Sequence, residues 1–395
     1  MSGHDYPDLA APRRVLLGPG PSEVPARVLR AMATPIVSHL DPEMLVLLER
    51  IARQLRAVFR TGNRLTLAVP GTGMSAMEAA IVNLVEPGDT VLVGTCGVFG
   101  RRMADVARRA GAGVHEVEAP WGRIVDPDAM RRAIAAHRPR VVAIVHGETS
   151  TGIEQPVEPI VRAAREHDAL TVVDTVASLG GVPFDTDASG ADVVYAGSQK
   201  CLSCPPGLAP ITVGPRAEER IRSRGRPVQS FYLDLTLLDR YWNEPHAYHH
   251  TAAAPLYFAM YEGLRVALEE GAAPRIARHA LCHRALVAGL GALGIGLASD
   301  PEHRLPVLNP VEVPGGVDAH RVRRRLLAEH GIEIGAGLGD LADRVWRVGL
   351  MGESARPNNV LLLLAALERI LREEGARVGA GAVQAAAAVL GEATG

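Results

Sequence analysis

Cysteine is scarce in this chain. The 395 residues hold four, Cys96, Cys201, Cys204 and Cys282. So few in so long a chain exclude a disulfide framework. Cys201 and Cys204 form a C-x-x-C, but Pro205 and Pro206 follow directly and no second ligand pair stands near, so the spacing carries no redox or metal site. Charge bias is also lacking. The formal net charge is −2, which gives no electrostatic case for nucleic acid. No apolar run approaches the ~20 residues that span a bilayer. The N-terminal stretch MSGHDYPDLAAPRR has no apolar core of a signal peptide. The expected setting is a reducing cytoplasm, with no membrane partner. Lysine is rare beside arginine, a bias of the coding genome to which no function is assigned.

What remains is ordinary. Hydrophobic residues make up 47% and charged residues 22% of the chain, close to common globular usage. The length allows one or two domains with large cores.

The stretch from Thr171 to Gly207 organises the rest. Val172, Val173 and Asp174 end one short apolar run. Val193, Val194 and Tyr195 form a second, followed by Ala196, Gly197, Ser198, Gln199 and Lys200. Such β-branched runs closed by small residues read as buried strands of an α/β sheet. Asp174 and Lys200 then lie past strand ends, the edge where open α/β sheets bind ligands. A lysine there can form an imine with an aldehyde cofactor. An aspartate on the neighbouring strand can pair with a pyridinium nitrogen. Either residue alone also reads as a loop or turn former. The pair suggests pyridoxal 5'-phosphate (PLP).

In chain order, Gly18-Pro19-Gly20-Pro21 is a rigid loop, since proline lacks the N–H and glycine frees the backbone. Ser22 is a fair N-cap for a helix over roughly 25–33. A second helix covers roughly 42–60. Leu65–Val69 is a strand, then Pro70-Gly71-Thr72-Gly73-Met74 leads into an amphipathic helix. Strand, Gly-x-Gly, helix is a phosphate-cradle arrangement, because free N–H groups and the helix dipole favour an anion. It is also what a tight βα turn needs on steric grounds. Phe99 follows the strand Thr90–Gly94 and could stack on a planar ring or pack in a core. Val141–Val145 is a strand running into His146-Gly147-Glu148-Thr149-Ser150-Thr151-Gly152, a cluster of hydroxyls and glycines. Strands alternate with helices throughout, which implies right-handed crossovers and a mostly parallel sheet. FYLDLTLLDRYW is amphipathic. His249 and His250 lack metal-ligand spacing, since neighbours point apart.

From about residue 270 shorter strand-like pieces and helices suggest a smaller α+β domain. Arg347 stands inside the strand-like VWRVGL and needs an anionic partner. That partner is either a structural carboxylate or a substrate carboxylate held bidentately. The expected division is an arm at 1–15, a large domain at 16–268 and a small domain at 269–395.

Five ordered segments carry a resemblance: GPGPS at 18–22, VDTVASLGG at 173–181, GSQKCLSCPPG at 197–207, YHHT at 248–251 and RVGLMG at 347–352. Through them nearly the whole chain resembles the alanine/serine–glyoxylate aminotransferase family of class V, fold-type I PLP enzymes. The resemblance implies a large domain with a mostly parallel seven-stranded sheet and a smaller C-terminal domain. It implies Lys200 as the Schiff-base lysine and Asp174 as the partner of the pyridine nitrogen. Thr72, Gly73 and Met74 match the phosphate loop. Phe99 stands where the family carries an aromatic, often Trp, and Met74 where some members carry His. Thr149 matches a hydroxyl near the ring's 3′-oxygen, Val176 the opposite ring face, and Gln199 a phosphate neighbour. Tyr248 and Thr251 match residues reaching the other subunit's phosphate, which implies a homodimer with shared sites. Arg347 matches the clamp for the substrate α-carboxylate, with Gly20 in a loop approaching that carboxylate. The implied activity is ping-pong transfer of an amino group from alanine or serine to glyoxylate or pyruvate. A lyase on the same fold, performing β-elimination or decarboxylation of a modified amino acid, would use the same lysine and aspartate.

Overall fold

The computed structural model describes residues 9–392. Fourteen strands are named among them: β1 (Val15–Leu16), β2 (Leu65–Pro70), β3 (Thr90–Thr95), β4 (Gly113–Glu118), β5 (Val141–Val145), β6 (Gly147–Glu148), β7 (Ile153–Glu154), β8 (Leu170–Asp174), β9 (Val193–Tyr195), β10 (Leu208–Val213), β11 (Leu308–Glu312), β12 (Ile332–Glu333), β13 (Gly335–Ala336) and β14 (Val345–Gly349). Seven make one sheet in the order β2-β10-β9-β8-β5-β3-β4. Strand β10 runs antiparallel to both neighbours, and all other pairings in this sheet are parallel. The α/β fold expected from the alternation is therefore present, with a large, mostly parallel sheet.

The reason lies in the strand sequences. Every residue of β5 (VVAIV) and β8 (LTVVD) is buried. Parallel strands covered by helices on both faces need such unbroken apolar runs. Strand β4, GVHEVE, escaped the sequence reading. It is a sheet edge with alternating exposure and three charged or imidazole side chains, a composition that blunts an edge and hides a strand.

Two apolar cores are distinct. One is built on the seven-stranded sheet and includes Leu67, Val93, Ile144 and Val173. The other gathers Leu286, Val322, Trp346, Leu363 and Leu367, around the antiparallel sheet β11-β14-β13. Strand β1 pairs with β12, and Leu17 packs in the second core. The first ordered segment is thus tied to the last third of the chain. Residues 1–8 of the expected arm lie outside the described residues.

One local expectation needs correction. Ser22 does not cap a helix. The helix Ala26–Met32 starts at Pro25 without a side-chain cap, and Ser22 Oγ instead donates to the Lys200 carbonyl at 2.7 Å. The amphipathic stretch after Phe231 is helical only over Leu235–Trp242, because Asp234 caps it by accepting from Thr236 N.

Candidate active site

Strands β2, β3, β5, β8 and β9 all point the same way, since β10 reverses between β2 and β9. Their C-terminal ends therefore share one edge of the sheet, where the loops converge. A cavity at that edge is lined by Thr72, Gly73 and Met74 after β2, Phe99 after β3, and Thr149 past β5. Asp174 at the end of β8 lines it too, with Val176, Gln199 and Lys200. The structure thus brings nine of the expected residues together.

Asp174 is 3% exposed. Its Oδ1 accepts from Val176 N at 2.7 Å and its Oδ2 from the Tyr195 hydroxyl at 2.8 Å. Tyr195 was missed by the sequence reading. It ends β9 directly opposite Asp174 in the register, so a known strand pairing would have found it. Burial pushes the Asp174 pKa up to about 7, nearby Glu148 adds to the rise, and the two donors and Lys200 oppose it. The carboxylate is built to meet a positive group in the cavity.

Lys200 is the only lysine of the chain. Burial, and then the Arg347 charge, pull its pKa down to about 8, with Asp174 pulling the other way. Its Nζ donates to the Pro19 carbonyl. Gly20, at φ +105°, leaves no room for a side chain, since a Cβ there would lie 2.5 Å from Nζ. The GPGP loop is therefore packed against the amine and needs glycine at this point.

The helix Gly73–Leu84 opens at Thr72 with no side-chain cap. Its first amides stand at the cavity, a setting that suits an anion. A Cβ on Gly73 would press on Val176 at 2.9 Å. The Oε1 of Gln199 is buried without a partner.

Arg347 comes from the other core, on β14. It is 8% exposed. Its Nε donates to Ala336 O at 2.7 Å and its Nη1 to Thr149 O at 3.3 Å. Among the described residues no carboxylate lies in ion-pair range of it. Of its two sequence readings, the structural salt bridge is therefore unsupported. A buried guanidinium held only by carbonyls remains short of an anion.

Tyr248 and Thr251 do not line the cavity. Tyr248 is 61% exposed and contacts the His39 ring, with centroids 5.1 Å apart. Cys201 and Cys204 are buried thiols beside Lys200 in sequence, with pKa values raised by burial to about 11 and about 12. Such thiols are inert as nucleophiles.

The parts fit PLP, one group to each part: the uncapped helix start for a phosphate, Asp174 for a pyridinium N–H, Phe99 and Val176 for the ring, and Lys200 for the carbonyl. One stability prediction follows for the cofactor-free protein. Below its unfolded pKa near 3.8, Asp174 is protonated in both folded and unfolded chains. Between there and about 7 only the unfolded chain releases the proton, so stability falls as pH rises. Above about 7 the full cost stands. Asp174→Asn should therefore stabilise the cofactor-free protein at pH 8 by on the order of a few kcal/mol, with the gain vanishing toward pH 4. Thermal denaturation at both pH values measures it. A lower Tm for the variant at pH 8 would refute it.

Comparisons with known proteins agree with this geometry. The family model "Aminotransferase class-V" matches residues 14–341. A Bacillus subtilis protein named (S)-ureidoglycine–glyoxylate transaminase is 42% identical, covering 98% of this chain and 97% of the relative. A Drosophila melanogaster alanine–glyoxylate aminotransferase is 40% identical, over 92% of this chain and 94% of the relative. The crystal structure of the B. subtilis ureidoglycine–glyoxylate aminotransferase superposes with a TM-score of 0.96 at 43% identity, covering 98% of this chain and all of the other.

Proposed function

We propose that this chain, which belongs to the class V aminotransferase family, carries an amino group from a small amino acid to glyoxylate. It is a PLP-dependent aminotransferase of fold type I. The observation that carries the substrate reading is Arg347, a buried guanidinium with no carboxylate in ion-pair range among the described residues, whose charge acts on the only lysine. Relatives named for glyoxylate with either alanine or (S)-ureidoglycine make glyoxylate the shared acceptor. The amino donor is then a small amino acid of the alanine or ureidoglycine kind.

When bound, PLP supplies a carbonyl for the amino group and an electron-withdrawing ring. The chain does the rest. Thr72, Gly73, Met74 and Gln199 hold the phosphate. Phe99 and Val176, which line the same cavity, would flank the ring, and Thr149 would serve its 3′-oxygen. Asp174, fixed by Val176 N and Tyr195, keeps negative charge against the ring nitrogen. Arg347 binds the α-carboxylate and so orients the Cα–H bond. Lys200, with a pKa near 8, is poised to accept that proton and return it. The buried, raised-pKa thiols give no support to a desulfurising variant.

A second copy completes the assembly in this reading. Phe231 and Tyr232 are exposed and both meet the His249 ring, and the exposed Tyr248, next to His249 in sequence, meets the His39 ring. Exposed aromatics grouped in this way mark an interaction face. Tyr248 and Thr251 would then serve the partner's cavity. No helix among the described residues is long and apolar enough to cross a membrane, and we place the enzyme in the cytoplasm. The division into an arm (1–15), a large domain (16–268) and a small domain (269–395) belongs to the same proposal.

The test is a spectral titration of the PLP-loaded protein. Alanine, serine and ureidoglycine are added in turn, each followed by glyoxylate. Visible absorbance should bleach with the true donor and recover with glyoxylate. Absorbance that no donor bleaches, or that glyoxylate cannot restore, would overturn the reading.

A further inference from the structure

Glu148 has no task in the reaction described above, yet it is the most deeply placed carboxylate near the cavity, at 0% exposure. Every group bonded to it is a donor. Its Oε1 accepts from Ser150 N at 3.0 Å and from Ser150 Oγ at 2.6 Å. Its Oε2 accepts from Phe99 N at 3.0 Å and Gly100 N at 3.3 Å. Ser150 Oγ in turn accepts from Val98 N at 2.9 Å. These donors belong to two separate segments. Val98, Phe99 and Gly100 open the helix Val98–Arg109. Ser150 follows Thr149, whose carbonyl receives Arg347 Nη1.

The approach of the two segments is tight. A Cβ on Gly97 would lie 2.3 Å from Ser150 Oγ and 2.6 Å from Glu148 Cδ. A carboxylate at the first turn of a helix is favoured by the unpaired amides there. Here the same carboxylate also holds the neighbouring strand end. Burial raises its pKa and the four donors oppose the rise. Four N–H and O–H donors shared between its two oxygens suit the charged carboxylate. Its charge also opposes the effect of burial on Arg347.

We propose that Glu148 is the positioning residue of this site: it clamps the Phe99 segment to the Thr149 segment and thereby fixes the ring wall, the 3′-oxygen neighbour and the Arg347 anchor relative to one another. The proposal rests on the functional reading above. It assigns Glu148 no contact with substrate or cofactor.

The test uses Glu148→Gln, which keeps the shape but sets an NH₂ group against N–H donors. Cofactor-free wild type and variant are titrated with PLP, and the visible circular dichroism of the loaded proteins is recorded. The dissociation constant for PLP should rise roughly ten- to a hundredfold, the range seen when an outer partner that orients a ligand-holding group is lost at metal sites. The circular dichroism of the bound ring should weaken, and KM for the amino donor should rise more than kcat falls. Ser150→Ala removes one donor while leaving the carboxylate, and should shift the same readings less. It decides the question if the Gln variant does not fold. A lowered Tm in both variants, with wild-type PLP affinity and circular dichroism, would reduce Glu148 to a stabilising residue and overturn the proposal. Failure of the wild type itself to bind PLP would overturn the functional reading and this proposal with it.

Discussion

Lys200→Ala should lose at least about a thousandfold in kcat while keeping its fold. A positioned acid–base group contributes roughly 10²–10⁴-fold, and in the proposed reaction the same amine would also bond the cofactor carbonyl. Folding should survive because the amine is a liability in the folded chain. Burial drives its pKa down from 10.5 to about 8, so the charged form is disfavoured there and its removal relieves that cost. The absence of any other lysine sharpens the measurement. Borohydride treatment of the PLP-loaded wild type should fix one adduct, on the peptide holding Gln199 and Lys200. The variant should show none there. Turnover within tenfold of wild type, or an adduct at another position, would sink the assignment.

Arg347→Ala should strike substrate rather than cofactor. Its guanidinium is held by two carbonyls, Ala336 O and Thr149 O, and by no acid among the described residues. The substrate carboxylate would be its only anionic partner. Removing one member of such a desolvated charge pair costs about 2–5 kcal/mol. In kcat/KM that is roughly thirtyfold to a few thousandfold, expressed chiefly in KM. Affinity for PLP should change little. A second effect has a definite sign. Arg347 is the charge that depresses the Lys200 pKa, so its loss should raise that pKa in the cofactor-free protein and move upward the pH at which the amine reacts with added PLP. Arg347→Lys keeps the charge but not the planar fork, and should restore the pH dependence of PLP uptake without recovering KM. An unchanged KM for α-carboxylate donors in the Ala variant would count against the clamp.

Much of this site could be read from the chain because buried parallel strands are written plainly. Strand β8 is apolar to its last residue, and that residue is Asp174. Residues such as Lys200 and Thr149 stand just past similar runs. What could not be read depends on register and on contacts between distant segments. Tyr195 looked like an ordinary strand residue until its pairing with Asp174 was seen. Glu148 read as one polar residue in a hydroxyl-rich loop, because its donors lie some fifty residues earlier, at Phe99 and Gly100. Ser22 has the composition of a helix cap, but its hydroxyl found the Lys200 carbonyl instead. Tyr248 and Thr251 carried no signal of their own beyond the resemblance. Within a single chain they remain away from the cavity.

The pairing of Val15–Leu16 with Ile332–Glu333 also bears on how the enzyme matures. The GPGP loop that receives the amine of Lys200 is anchored by that pairing on one side and by the hydrogen bond from Gly349 N to Leu17 O on the other. Both partners are made late in synthesis, more than three hundred residues after the loop. Contacts so distant in sequence close slowly and only after their loop entropy is met. A nascent chain lacking its last seventy residues would have Lys200, Asp174 and its seven-stranded sheet, but neither anchor for the loop that seats the amine and no Arg347. Ribosome-bound intermediates should therefore be catalytically silent, and activity should arrive with the completed chain.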